Sequence, residues 1–327
     1  MTAPGRTAQA SAPAVGVGRS SDRPTVPGSV TLGRSPRRRR RIETAYLYLL
    51  PAALLLGFVF LYPTLQSIWL AFQKNKGIND PGTFNGVDNF VKLWNDPLFW
   101  KITGQTFLWT IGVVGITTVL AYLLAIVLVQ RFRGRAIFRT IVILPAATSL
   151  AFSAVVWGFA FQPENLVNHT LAGFGPAKGG IAWLANVPQA WVALIFVGVC
   201  VSVPLTGVML AAAMRSVPRD LYEAASIDGA SRVAQTVRIT LPLTRTMLLI
   251  TTLANFVVCF NSFPIIFVMT GGGPVNRTDI LATWLYQKGF QLLDFGMAST
   301  LAVVVLCALL ALSLAYVHLL IHRTKVG

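Results

Sequence analysis

Charged side chains are scarce in this chain, and its apolar runs lack them almost completely. Only 12% of the 327 residues are Asp, Glu, Lys or Arg, about half the share of a soluble globular domain. Six runs, at about 44–72, 106–130, 140–161, 189–214, 246–270 and 297–320, contain none of the four. Each is long enough to cross a ~30 Å hydrocarbon layer as a helix. A proton-coupled pump needs buried ionisable groups to carry its charge, and the single ionisable side chain in these runs is His318. His318 and His322, one turn apart, are read as interfacial residues and not as a metal site. Sodium coupling through unwound backbone stays open.

Other absences narrow the field further. The three cysteines, Cys200, Cys259 and Cys307, all fall inside the runs; they read as small apolar packing residues, not as disulfides or metal ligands. A P-loop needs Gly-x-x-x-x-Gly-Lys and then Ser or Thr. The Gly173–Gly180 stretch holds Lys178 in the wrong order for that. Neither His-Glu-x-x-His nor the Gly-x-Ser-x-Gly elbow occurs, so hydrolase chemistry has no foothold. The chain therefore reads as no enzyme, with no cofactor bound by its own residues. No soluble domain fits beside the six runs. What remains is one all-α polytopic membrane domain, 37–327, behind a tail at 1–36 rich in Ser, Pro, Gly and Ala that reads as disordered. The tail is too long, and lacks the small-residue cleavage site, for a removed signal peptide.

What is present is positive charge, +16 in total. Its distribution argues against nucleic acid. Twenty of the 27 Lys and Arg lie in the tail, the second loop, the fourth loop and the C-terminus, and seven on the other side. Such a bias orients a membrane protein with the basic side in the cytoplasm, here N-in and C-in with six spans. The Arg37–Arg41 cluster suits anionic headgroups of the bilayer.

The fourth loop, 215–245, carries the most ordered pattern. Ser216 is placed to cap a helix and Pro218 suits its first turn. Leu221, Ala224, Ala225 and Asp228 share one helical face, and Asp228-Gly229 stops the helix. Ser231 is expected to cap a second short helix to about Thr240, with Pro242 opening the next span. A chain with no fuel and no mobile charge must, if it pumps, be driven through such a contact.

At this loop the chain resembles the permease subunits of binding-protein-dependent ATP-binding-cassette (ABC) importers. Their hallmark spacing is met by Glu223-Ala224-Ala225, Gly229-Ala230, Ile239 and Pro242. A second stretch is similar to the carbohydrate-uptake branch, which handles oligosaccharides, other sugars and glycerol-3-phosphate: Thr270-Gly271-Gly272-Gly273-Pro274, Thr278, Leu281, Tyr286, Phe290 and Phe295-Gly296-Met297-Ala298-Ser299. Phe90, Asn165, Leu166 and Trp183-Leu184 fit its outer segments. Pro264 departs from the pattern, which has an acidic residue there. The resemblance covers about 42–322.

The resemblance implies a type I importer permease fold in the cytoplasmic membrane. It implies a second homologous permease, two ATPase subunits that bind ATP and Mg, and an outer solute-binding protein. It makes 215–245 a coupling loop in which Glu223 pairs with a basic group of the ATPase and Gly229 allows the bend. Candidate contacts for a neutral polyol are Asn255, Phe256, Phe260 and Asn261 in span five, and Trp157, Phe161, Ser202 and Thr206 in spans three and four. Each can equally be helix packing. Uncharged spans favour a sugar over a phosphate ester. The rival readings are an ion-coupled secondary transporter, an intramembrane enzyme and an anchor without transport.

Overall fold

The computed structural model describes residues 50–75, 77, 80–130, 132–172 and 180–325. The tail 1–36, the Arg37–Arg41 cluster, Arg131, Lys178 and the side chain of His322 lie outside the described residues. The chain divides at Leu56/Gly57, and only 50–56 of the N-terminal unit are described.

The helices long and apolar enough to span a bilayer are α1 (Leu50–Ala71), α3 (Pro97–Val129), α7 (Val187–Arg215), α9 (Arg232–Phe260) and α12 (Phe295–Lys325). A further helix pair, α4 (Arg135–Ala147) and α5 (Leu150–Ala160), is together apolar and long enough to cross but meets at 97°, the geometry of a broken span or of a re-entrant loop. Between them come short helices: α2 (Asp88–Trp94), α6 (Leu166–Ala172), α8 (Arg219–Ile227), α10 (Phe263–Thr270) and α11 (Leu281–Tyr286). A two-residue antiparallel pair, β1 (Gln73–Lys74) and β2 (Thr83–Phe84), follows α1.

The central contact is α3 against α7. Asp96 starts α3 by accepting the Leu98 N–H at 2.8 Å, with Pro97 at the first helical position. This start makes α3 33 residues long, about 50 Å, so it begins nine residues before the expected 106. Where α3 and α7 meet, glycine lets the backbones close. A methyl group on Gly198 would sit 2.7 Å from the Trp109 ring, and one on Gly207 would sit 2.7 Å from Leu124 Cδ2. In lipid, where apolar burial between helices gains little, such small-residue contacts and interhelical hydrogen bonds hold a bundle together. Trp109 is fully buried and its indole N–H donates to the Cys259 carbonyl at 2.9 Å. Around it pack Val113, Leu194, Val197, Ile265, Ile266 and Met269.

Two expected spans are corrected. The run 140–161 is not one helix. Pro145 sits in a 3₁₀ turn, Leu144–Ala147, and Ser149 then caps a new helix by accepting the Phe152 N–H at 3.2 Å. The run 246–270 also divides. The helix ends at Phe260, and Pro264 sets the first turn of α10 after the Asn261-Ser262 break. Hydropathy alone reads straight through both breaks, because their residues are uncharged.

The end of the bundle away from 215–245 is closed by polar ties. Asn89, 5% exposed, donates to the Ala71 and Gln73 carbonyls, and Thr300 donates to Ala71 at 3.1 Å. The Gly77 N–H reaches the Leu293 carbonyl and the Gly296 N–H reaches that of Asn75. These bonds tie α1 to the start of α12.

Candidate functional site

The segment 215–245 folds as a bracket whose two arms are α8 and the beginning of α9. Its first arm starts differently from expectation. Ser216 does not cap α8; it ends α7, where its hydroxyl donates to the Ala213 carbonyl at 2.8 Å. Pro218 takes the N-cap place in an extended conformation. The first arm stops as the sequence indicates. Gly229 has φ +76°, its N–H bonds the Ser226 carbonyl, and the Ala230 N–H bonds that of Ala225. This pair of bonds is the Schellman arrangement, and it explains why glycine stands at this position.

Ser231 caps the second arm, accepting the Ala234 N–H at 3.3 Å. That arm is not a separate short helix. It continues from Arg232 to Phe260 without interruption. Pro242 therefore lies within the helix and does not open it. Proline lacks an N–H and crowds the carbonyl four residues back, which breaks an α ladder. Here a π turn, Thr236–Thr240, precedes it, with the Leu241 N–H on the Thr236 carbonyl. The wider turn carries the chain past the proline.

Side chains lock the two arms together. The Tyr222 and Thr240 hydroxyls are 2.9 Å apart, and Gln235 donates to the Ser226 hydroxyl at 3.0 Å and to the Ala230 carbonyl at 3.2 Å. Among its exposed, largely polar and charged side chains the bracket also bares large apolar ones. Ile227 is 87% exposed and Val233 73%. Glu223 and Ala224 are exposed beside them, while Ile239 is half-buried. Sequence reading missed Tyr222, Gln235, Thr240, Ile227 and Val233. The three polar residues act through tertiary contacts, and the two apolar ones show their exposure only once the arms are folded.

The candidate solute contacts fall into three settings. Asn255 donates to the Thr206 hydroxyl at 2.8 Å, and Thr206 donates to the Ser202 carbonyl at 2.8 Å, so these three link α7 to α9. Phe260 and Phe161 are core residues, 1% and 5% exposed; Phe260 packs on Phe107 and Phe256, and Phe161 on Trp157 and Trp183. Trp157 and Asn261 each border open space. Trp157 lines a cavity of about 400 Å³ with Ser153, Thr148 and Pro204. Asn261 is exposed at the break that ends α9. The structure does not gather all eight into one site.

The glycine-rich motif forms a closed turn at the far end. Gly271 stops α10 with φ +59°. Gly272 has φ +84° and presses its Cα face on the Asp279 carboxylate, where any Cβ would collide. The Thr278 hydroxyl donates to the Gly273 carbonyl and to the Thr270 hydroxyl at 2.9 Å, and Pro274 follows a cis peptide. Asp279 is fully buried and accepts from Thr283 at 2.8 Å and from Gln287 at 3.1 Å. Burial pushes its carboxyl above the ordinary range, opposed by those two hydrogen bonds and by Lys101. The Asn168 side chain closes the neighbouring segment, with bonds to Pro163, Ile181 and the Trp183 indole.

Comparison with known proteins draws these parts into one family. The family model for the binding-protein-dependent transport system inner membrane component matches residues 117–325. A Brucella suis protein named "Probable ABC transporter permease protein" is 38% identical over 275 residues, 84% of this chain and 95% of the relative. The sulfoquinovosyl glycerol transport system permease protein of Agrobacterium fabrum is 31% identical over 285 residues, 86% of this chain and 91% of that one. A solved bacterial alginate ABC transporter, in complex with a periplasmic protein bound to an alginate pentasaccharide, superposes with a TM-score of 0.77 at 22% identity, covering 90% of this chain and 99% of its own. A locked bracket on a bundle of this fold, matched by the family model along well over half of its length, makes the chain a multi-pass member of the binding-protein-dependent transport system inner membrane components, the non-catalytic permease subunits of ABC importers.

Proposed function

We propose that the chain is one of two homologous permease subunits of an importer for a sugar or a related neutral polyol. In this reading it lies N-in and C-in, with the α8–α9 bracket in the cytoplasm. One of two ATPase subunits docks there, holding ATP and Mg, and passes its closure into the spans. An extracytoplasmic binding protein delivers solute at the far end, and the bundle alternates between outward and inward access. The bracket is the observation that carries the proposal. Its two arms are locked together by side-chain bonds, and Ile227 and Val233 are exposed beside Glu223, as a lever seated in a partner requires. The sugar part of this reading is supported by a relative named for sulfoquinovosyl glycerol, itself an anion; the neutral part rests only on spans that offer hydroxyls, amides and aromatic faces but no charge.

The test is Glu223→Lys in the complex purified with its neighbouring gene products and reconstituted in vesicles. The variant is expected to insert normally and to lose both sugar uptake and the stimulation of ATP hydrolysis by sugar-loaded binding protein. Wild-type uptake should stop on ATP depletion and survive collapse of ion gradients. Undiminished uptake by Glu223→Lys overturns the coupling role, and uptake that follows an ion gradient overturns the pump.

A further inference from the structure

A cavity of about 700 Å³ lies between the bracket and the adjoining ends of α3, α4 and α7. Four arginines line it, each from a different element: Arg135 begins α4, Arg215 ends α7, Arg219 begins α8 and Arg232 begins α9. No carboxylate is among its lining residues. Helix stability does not explain the arrangement. The first turn of a helix favours negative side chains, so Arg135, Arg219 and Arg232 stand where the macrodipole disfavours them. Like charges brought to one half-open recess also repel one another, though solvent screens Arg215, Arg219 and Arg232, which are exposed. Arg215 gives one N–H to the Leu128 carbonyl at 3.3 Å, which fixes its guanidinium at the cavity.

The rest of the lining is of two kinds. Gln130, Tyr222, Gln235, Thr236 and Thr240 supply further polar groups, and Ile126, Val129, Met214 and Val217 form an apolar wall. Met214 and Val217 are 4% and 8% exposed. The wall belongs to the ends of membrane-crossing helices, so the cavity sits where a bilayer passes from acyl chains to headgroups. A free phosphate would use the arginines and leave the apolar wall wet. A phospholipid with a net negative headgroup uses both, the phosphate among the guanidiniums and the first methylenes against Ile126, Val129 and Met214.

We propose that this cavity is a binding site for an anionic phospholipid, seated between the bracket and the spans it moves. The lipid neutralises the arginine cluster and fills the space behind α8, making the stiffness of the bracket depend on membrane composition. Nothing in this assignment requires that the transported solute be a sugar.

The experiment is native mass spectrometry of the purified permease-containing complex, titrated with phosphatidylglycerol or phosphatidylcholine. Phosphatidylglycerol is expected to bind in preference. Arg135→Gln and Arg232→Gln should each weaken it by about fivefold, the effect of one basic residue at a membrane surface, while Arg135→Lys and Arg232→Lys retain it. Equal binding of the two lipids overturns the proposal, as does phosphatidylglycerol binding indifferent to both Gln variants. Full displacement of the lipid by inorganic phosphate also overturns it, in favour of a free-phosphate site. The Lys pair keeps the test decisive should a Gln variant fail to assemble. A complex that prefers phosphatidylglycerol yet shows no ATP-driven uptake separates the failure of the importer reading from the failure of this one.

Discussion

Ile227→Ala is the sharpest probe of the bracket. The side chain is 87% exposed, so its loss should leave the permease fold within about 0.5 kcal/mol of wild type. In the docked state the same side chain should be covered. Replacing Ile by Ala removes three carbons, and burial contributes about 0.8 kcal/mol for each. The loss is then about 2.4 kcal/mol of docking free energy, or about 60-fold in Kd. The assay is titration of fluorescently labelled ATPase subunit onto permease held in nanodiscs, followed by sugar-stimulated ATP hydrolysis. Phe290→Ala is the control, because Phe290 is 66% exposed but lies at the far end. A Kd for Ile227→Ala within about twofold of wild type, the scatter of neutral surface changes, refutes the docking face. An equal loss from Phe290→Ala refutes it too.

Three further outcomes follow from the geometry. Gly198→Ala should destabilise the solubilised protein by about 1–3 kcal/mol, because the Trp109 ring it meets is buried and pinned to Cys259; Gly207→Ala should cost less, since Leu124 can change rotamer, and thermal melts that reverse this order refute the packing argument. Asp279 holds its proton to higher pH folded than unfolded, so its contribution to stability is present near and below its ordinary range and is lost as pH rises through the folded value; Asp279→Asn, which keeps an acceptor for Thr283 and Gln287, should raise or preserve the melting temperature at neutral pH and flatten this pH dependence. Asn255→Ala should cost about 0.6 kcal/mol, the mean for a hydrogen bond between membrane helices, whereas the exposed Asn261→Ala should leave stability unchanged and lower sugar-stimulated ATPase activity; a melting shift without an activity change would mark Asn261 as structural.

The crossings were legible because uncharged length is a one-dimensional property, and the bracket's stop was legible because Gly229 and Ser231 act on their immediate neighbours. What escaped was whatever depends on contacts distant in sequence or on breaks made of neutral residues. Thr148-Ser149 and Asn261-Ser262 interrupt helices without a charge to flag them. Tyr222 looked like any loop tyrosine until Thr240, eighteen residues on, was folded against it. The Asp279 carboxylate behind Gly272 belongs to the same class: the motif was visible, and the buried acid that makes glycine necessary there was not. For the candidate solute contacts the sequence offered residue types only. Burial then distinguishes Phe260 and Phe161, enclosed in the core, from Trp157 and Asn261, which remain reachable.

The unbroken run of α9 has a mechanical meaning. Twenty-nine residues join the docking arm to the break after Phe260, about 43 Å of rod at 1.5 Å per residue. Past the π turn and Pro242 near its start, the helix has no further break before its far tip, so a push that passes them is carried along it. The next place that can yield is Asn261-Ser262, beside the indole bond at Cys259. A stroke applied at Arg232 would then be spent not at the membrane face where it begins but at the far tip, where α10 follows the break and packs on α5 through Met269 and Gly158.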